Sequence, residues 1–308
     1  MNKEPTPWKG IIFMLISGSC WGFHGILIKY GLSLGASFLQ ILLAEVFLAT
    51  VFFSLLAKSF FRTLRPQGAR QWLSLGAIGL ATIGIGFFLF LSYSLGPVAI
   101  PATLMFLYLP VVYGFSVLSG HQRILKGKIF AIVCVIIGAI FTTRIFSTFN
   151  EPGAIPAVWA ALAASMCYAV VFILTPSIAV YTTAEFRSFA VSSMGFLGCF
   201  VILLCNPSLW HDLGENSLQF FALALLLGVV GQIIPVITLM KGLPLTGGSL
   251  GGVLASIELP IAVFSAALLL GESLTVSKVF GIALVLSGIV FYNFAESRHS
   301  LLKFKQVS

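Results

Sequence analysis

Glu258, Glu45 and His24 each stand in a run of otherwise apolar side chains. An ionisable group in hydrocarbon costs a few kcal/mol even on lenient insertion scales, so its presence needs a reason. A carboxylate in such a place can bind a substrate ammonium or exchange a proton, and an imidazole can do the second. Each residue also has a structural reading. The carboxyl can be neutral and hydrogen-bonded to a neighbouring helix, and the histidine can be an interfacial side chain. The functional reading is preferred for Glu258, which falls near the middle of its apolar run, with Glu45 as a second proton-coupling candidate. Glu272, beside Gly271 at a run's end, reads instead as a capping or loop residue.

Trp21, Tyr93, Tyr108, Tyr168 and Gln232 add aromatic faces and a few polar tips at similar depth, a mixture suited to small, partly apolar ligands. Helix packing alone would also use them. Enzymatic chemistry fares worse. Asp212 is the sole aspartate, no His, Asp, Glu or Cys group has metal-ligand spacing, and neither a nucleophile elbow nor a Walker motif occurs. The Gly247–Gly252 run is no phosphate loop, since no Lys-Ser/Thr follows it. No enzyme activity, metal or cofactor is expected. The five cysteines lie inside apolar runs and read as small helix residues.

The elements that hold these residues must be membrane helices. The 308 residues are 59% hydrophobic and 8% charged, with a mean hydropathy of +1.07. A soluble surface needs roughly 25% charged residues, so a bilayer must be the solvent for most of the chain. Ten runs are long enough to cross it: 9–29, 36–57, 71–94, 97–119, 127–145, 155–175, 185–205, 218–239, 245–270 and 277–295. They are apolar on all sides, which excludes the alternation of a barrel strand. The first run is too long for a signal peptide and lacks a cleavage site, so it reads as a span.

With the amino terminus in the cytoplasm, 14 of the 17 basic residues fall inside. Only Lys29, Arg144 and Lys278 fall outside, as the positive-inside rule requires. Both termini are then cytoplasmic, and the localisation expected is the inner or plasma membrane. The scattered cations argue against a nucleic-acid partner despite a net charge of +8. Partners are a small-molecule substrate and the bilayer, with the chain a monomer or homodimer.

Ser94-Leu95-Gly96-Pro97 opens a segment reaching Leu109-Pro110 and then Ser119-Gly120-His121; Lys241-Gly242-Leu243-Pro244 opens one reaching Leu259-Pro260 and Gly271-Glu272. The chain is thus an all-α membrane protein built as two repeats, 9–145 and 155–295. Five spans per repeat make the halves inverted, with a site expected where they meet near the midplane. Pro101, Pro110, Pro235 and Pro260 should bend their spans. Gly76, Gly79, Gly84 and Gly86 should let span three approach its neighbours.

Cys20-Trp21-Gly22-Phe23 followed by Lys29-Tyr30, and Ser256-Ile257-Glu258-Leu259-Pro260 leading to Leu270-Gly271-Glu272, resemble the EamA-type branch of the drug/metabolite transporter superfamily. The resemblance runs from about residue 10 to 295. It implies a secondary transporter of amino acids or related metabolites, with efflux the expected direction, working by alternating access. It places helices one, three, four, six, eight and nine around a cavity, which would make Glu258, Tyr108, Trp21, His24, Gln232, Tyr93 and Tyr168 the substrate-binding residues. Two departures stand out. Glu45 occupies the region where the family commonly has an arginine, and Gly120-His121 lies one residue closer to its proline than Gly271-Glu272 does. A membrane-embedded enzyme, a lipid-handling protein and an uptake or exchange carrier for a larger metabolite are the alternatives.

Overall fold

The computed structural model describes residues 7–57, 68–120, 124–143, 154–179 and 182–307, and its regular elements over these residues are helical. The first half comprises Pro7–Ser33 (α1), Phe38–Ala57 (α2), Ala69–Leu95 (α3), Ala99–Leu104 (α4), Tyr108–Leu118 (α5) and Lys126–Thr143 (α6). The second comprises Ala154–Ala179 (α7), Ala184–Cys205 (α8), Ser217–Leu227 (α9), Ile234–Ala255 (α10), Glu258–Leu270 (α11) and Val276–Val307 (α12). Among the described residues eight helices are long and apolar enough to cross a membrane, and Glu258–Leu270 and Val276–Tyr292 are two shorter apolar helices. His121 and Arg144 lie outside the described residues.

Packing between the halves follows a two-fold relation. α6 packs on α12 and α2 on α8, each against its own counterpart. α3 packs on α7 as α10 packs on α1, and α5 packs on α7 as α11 packs on α1. In lipid no hydrophobic force draws helices together, so close approach depends on small residues. At the α6–α12 seam a Cβ on Gly138 would lie 2.7 Å from the Gly281 carbonyl oxygen, which leaves room for no side chain there.

The fourth span of each half is broken in the same register. A 3-10 turn, Met105–Leu107, separates α4 from α5, and Ser256-Ile257 separates α10 from α11. The cause is proline. Pro110 and Pro260 have no N–H to give to the carbonyls of Phe106 and Ser256, and their rings crowd those carbonyls. The Ser256 carbonyl instead accepts from the Leu259 N–H at 3.2 Å. Tyr108 and Glu258 are therefore equivalent residues, each opening the second segment two positions before its proline.

Spans eight and nine were expected to part between residues 239 and 245. Helical backbone runs through Lys241-Gly242-Leu243-Pro244, yet the chain reverses there: adjacent α1 residues Ser17 and Gly18 meet Pro235 and Ala255, which a straight helix would hold about 30 Å apart. α1 lies along this stretch. A Cβ on Gly242 would meet the Met14 sulfur at 2.9 Å, and one on Gly10 would meet the Leu245 Cβ at 2.7 Å. Gly10 touches both Gly242 and Leu245, so the turn packs on the start of α1, and Ser256-Ile257 is a further break inside span nine. A second irregularity, a π-helical turn at Gly228–Ile233, joins α9 to α10.

Candidate functional site

The centre of the molecule is organised by two adjacent faces of α1. Gly18 and Gly22 sit against the break before α11: an added Cβ would meet the Ala255 carbonyl at Gly18, and the Glu258 carbonyl at 3.0 Å at Gly22. One residue earlier in each turn, about 100° round the helix, Ser17, Trp21 and His24 face the π turn and the start of α10. Ser17 Oγ donates to the Pro235 carbonyl at 2.9 Å, and Trp21 Nε1 donates to the Gly231 carbonyl at 2.9 Å. A π turn frees carbonyls from the regular ladder, and here a side chain from the other half satisfies one.

His24 is buried, and its Nε2 lies 2.7 Å from Glu45 Oε2. Glu45 is 0% exposed, and its second oxygen, Oε1, has no hydrogen-bond partner among the described residues. The Phe90 ring stands edge-on to His24 with centroids 5.5 Å apart. Gly231 closes the other side, where a Cβ would lie 3.0 Å from His24 Nε2 and 3.1 Å from Glu45 Oε1. The pair thus sits at the junction of α1, α2 and the π turn. Helix two was expected to lie away from the central residues, and this contact brings Glu45 to them.

A second group forms around Glu258, half-buried in the first turn of α11. It lies within electrostatic reach of His24, Tyr93, Tyr108 and Tyr168. The Tyr108 ring stands edge-on to Tyr168 at 4.9 Å and against Phe172 at 4.6 Å. Tyr93 is buried between the groups, its ring 2.7 Å from where a Cβ on Gly25 would be. Gln232 is half-buried within the π turn. All eight candidates therefore lie along the meeting of the two halves, as a carboxylate–tyrosine group and a histidine–carboxylate pair. Together they offer a charged or protonatable carboxyl, flat aromatic surface and hydrogen-bonding tips.

Away from this centre, Glu272 is structural. Its Oε1 accepts from the Val98 N–H at the start of α4 at 2.6 Å, and its Oε2 is 3.6 Å from Lys278 Nζ. Gly271, at φ 68°, makes the turn that delivers it. Lys128, counted among the basic residues on the cytoplasmic side, lies in the first turn of α6. It is 2% exposed, with its ammonium 4.7 Å from the Tyr292 ring centroid and 5.2 Å from that of Tyr113. Its only sequence signal is a position just inside an apolar run. Gly231 was also missed; a glycine pair, Gly228 and Gly231, within a span was the available sign.

A separate cavity of about 680 Å³ opens between α2, α8 and α9, under the loop that carries Trp210, His211 and Asp212. Phe47, Phe200 and Phe221 give it apolar walls, and it includes none of the central residues. Its roof is pinned, since Gln40 Nε2 donates to the His211 carbonyl at 2.9 Å. Among the described residues no group of three His, Cys, Asp or Glu side chains converges to hold a metal.

Two six-element halves packed about a two-fold relation, with broken helices at their meeting, define a membrane transporter architecture. The model of the EamA-like transporter family matches residues 8–144 and again 155–294, and the chain belongs to that family of membrane transporters of small compounds. A solved crystal structure of a protein aligns with a TM-score of 0.64 over 94% of this chain and 98% of its own, at 16% identity, which bears on the fold alone. No curated protein matches the chain.

Proposed function

We propose that the protein is a secondary transporter that exports amino acids or related small metabolites by alternating access, with both termini cytoplasmic. Substrate meets Glu258, Tyr108, Tyr168, Tyr93, Trp21, His24 and Gln232. The observation that carries this reading is the matched break of the two fourth spans, which presents Tyr108 and Glu258 at equivalent places on the inter-half surface. Unwound helices supply backbone groups and side chains at the depth where a substrate must be held. In this reading Glu258 takes the substrate ammonium and the tyrosines flank its body. A proteoliposome flux screen across amino acids tests it. Saturable flux of at least one of them, competed by its analogues, is expected, and absence of flux across the set rejects the proposal.

A second reading, handling of a lipid-like compound, is favoured by the apolar cavity beneath Trp210. Its volume suits a drug-sized apolar ligand. Retention of such a compound in purified protein, lost on filling the cavity with Ala44→Phe, would select this reading.

A further inference from the structure

The His24–Glu45 pair has a construction that substrate binding does not require. Two titratable side chains are in contact at 2.7 Å, one wholly buried, and the outer oxygen of that carboxylate has no hydrogen-bond partner among the described residues. The pair is closed by Gly231 of the other half, where an added Cβ would lie 3.0 Å from His24 Nε2 and 3.1 Å from Glu45 Oε1. Trp21 ties the same glycine's carbonyl to α1. The titratable groups that face it from the packed elements are Glu258 on α11, Cys199 on α8 and Tyr93 on α3.

We infer that His24 and Glu45 form a single-proton site whose occupancy decides whether the α1–α2–π-turn junction can close. The inference rests on the transporter reading and separates proton binding from substrate binding at Glu258. With neutral imidazole and ionised carboxylate the pair carries a net charge of −1. Taking one proton from water makes it imidazolium and carboxylate, net zero; releasing that proton on the other face restores the start. A net anion at this depth is poorly tolerated away from water, whereas a neutral, contacting ion pair keeps its electrostatic partner. The occluded state is therefore open to the protonated pair and closed to the bare one. Glu45 Oε1 faces the π turn, so the change of charge is felt at Gly231 and through it by Trp21. Low pH favours the closed junction and high pH the open one.

Two measurements on protein in lipid nanodiscs, without substrate, test this. In histidine-¹⁵N-labelled protein, with His24 assigned by its loss in His24→Asn, the imidazole should change protonation in one step. That step should move by at least about one pH unit in Glu45→Gln. With Trp8, Trp72, Trp159 and Trp210 replaced by phenylalanine, Trp21 emission should step at the same midpoint, and Gly231→Ala should shift it. His24 titrating in wild type like a solvated imidazole, near about 6.5, overturns the inference, as does a step unmoved by Glu45→Gln or a flat Trp21 emission. If both steps occur and no flux is found, the transporter reading falls and the proton site stands. Saturable flux with His24 inert sinks the proton site alone.

Discussion

Glu258 and His24 lie within electrostatic reach of one another yet play separable parts, because their immediate partners differ. Glu258 opens a half-helix beside tyrosines, whereas His24 is committed to Glu45. Glu258→Gln keeps size and hydrogen bonding while removing charge, so it should fold as wild type and raise the KM for a cationic substrate tenfold or more. A hydrogen bond to a charged group is worth roughly 1.5–3 kcal/mol, which corresponds to that range. Wild-type flux of the identified substrate across pH 5 to 8 in this variant would make Glu258 a structural residue. Lys128 gives a contrasting case, since its box of two tyrosines, one from each half, lies at the α6–α12 seam and includes none of the candidate site residues. Losing desolvated cation–π contacts costs about 2 kcal/mol. Lys128→Ala should therefore lower the melting temperature while KM stays unchanged, and a changed KM would bring Lys128 into the transport path.

At the scale of the helix, the prolines explain where the chain opens. Ser256-Ile257 and Met105–Leu107 are turns because Pro260 and Pro110 each remove one ladder bond and crowd a carbonyl. Replacing Pro260 by alanine restores both the donor and the space, so α10 and α11 should tend to join. A Pro in a helix interior is worth about 3 kcal/mol against alanine. Pro260→Ala should be at least as stable as wild type in a melting experiment, yet lose most of its flux. Flux retained in full would mean that the break has no role in transport. Pro244 stands at the reversal between spans eight and nine, where Gly242 and Leu245 both pack on Gly10 of α1.

For the whole molecule, α6 pairs with α12 and α2 with α8, while α1, α3, α7, the π turn and the broken spans carry every candidate but Glu45. If both termini are cytoplasmic, a reporter in the Asn206–Glu215 loop must be external, and a cytoplasmic signal there would break the inverted arrangement. Cysteines at Trp21, Tyr108 and Gln232, in a background free of the five native cysteines, should react with small water-soluble thiol reagents and be protected by substrate. Inertness at all three would mean a packed interior.

Composition and spacing alone determined the all-helical membrane fold, the two repeats and the position of each candidate. These follow from solvent: hydrocarbon demands internally bonded backbone and excludes charge, so spans and exceptions to apolarity can both be read along the chain. The equivalence of Tyr108 and Glu258 was likewise implicit in their spacing from Pro110 and Pro260. The partners were not. Nothing in one dimension says that Glu45 meets His24, or that Lys128 is boxed by Tyr113 and Tyr292. Each depends on which helix face meets which across 15 to 164 residues. Only the packed structure sets that, because apolar faces of similar hydropathy are distinguished by shape, by glycine-permitted approach and by the few polar groups that must find one another.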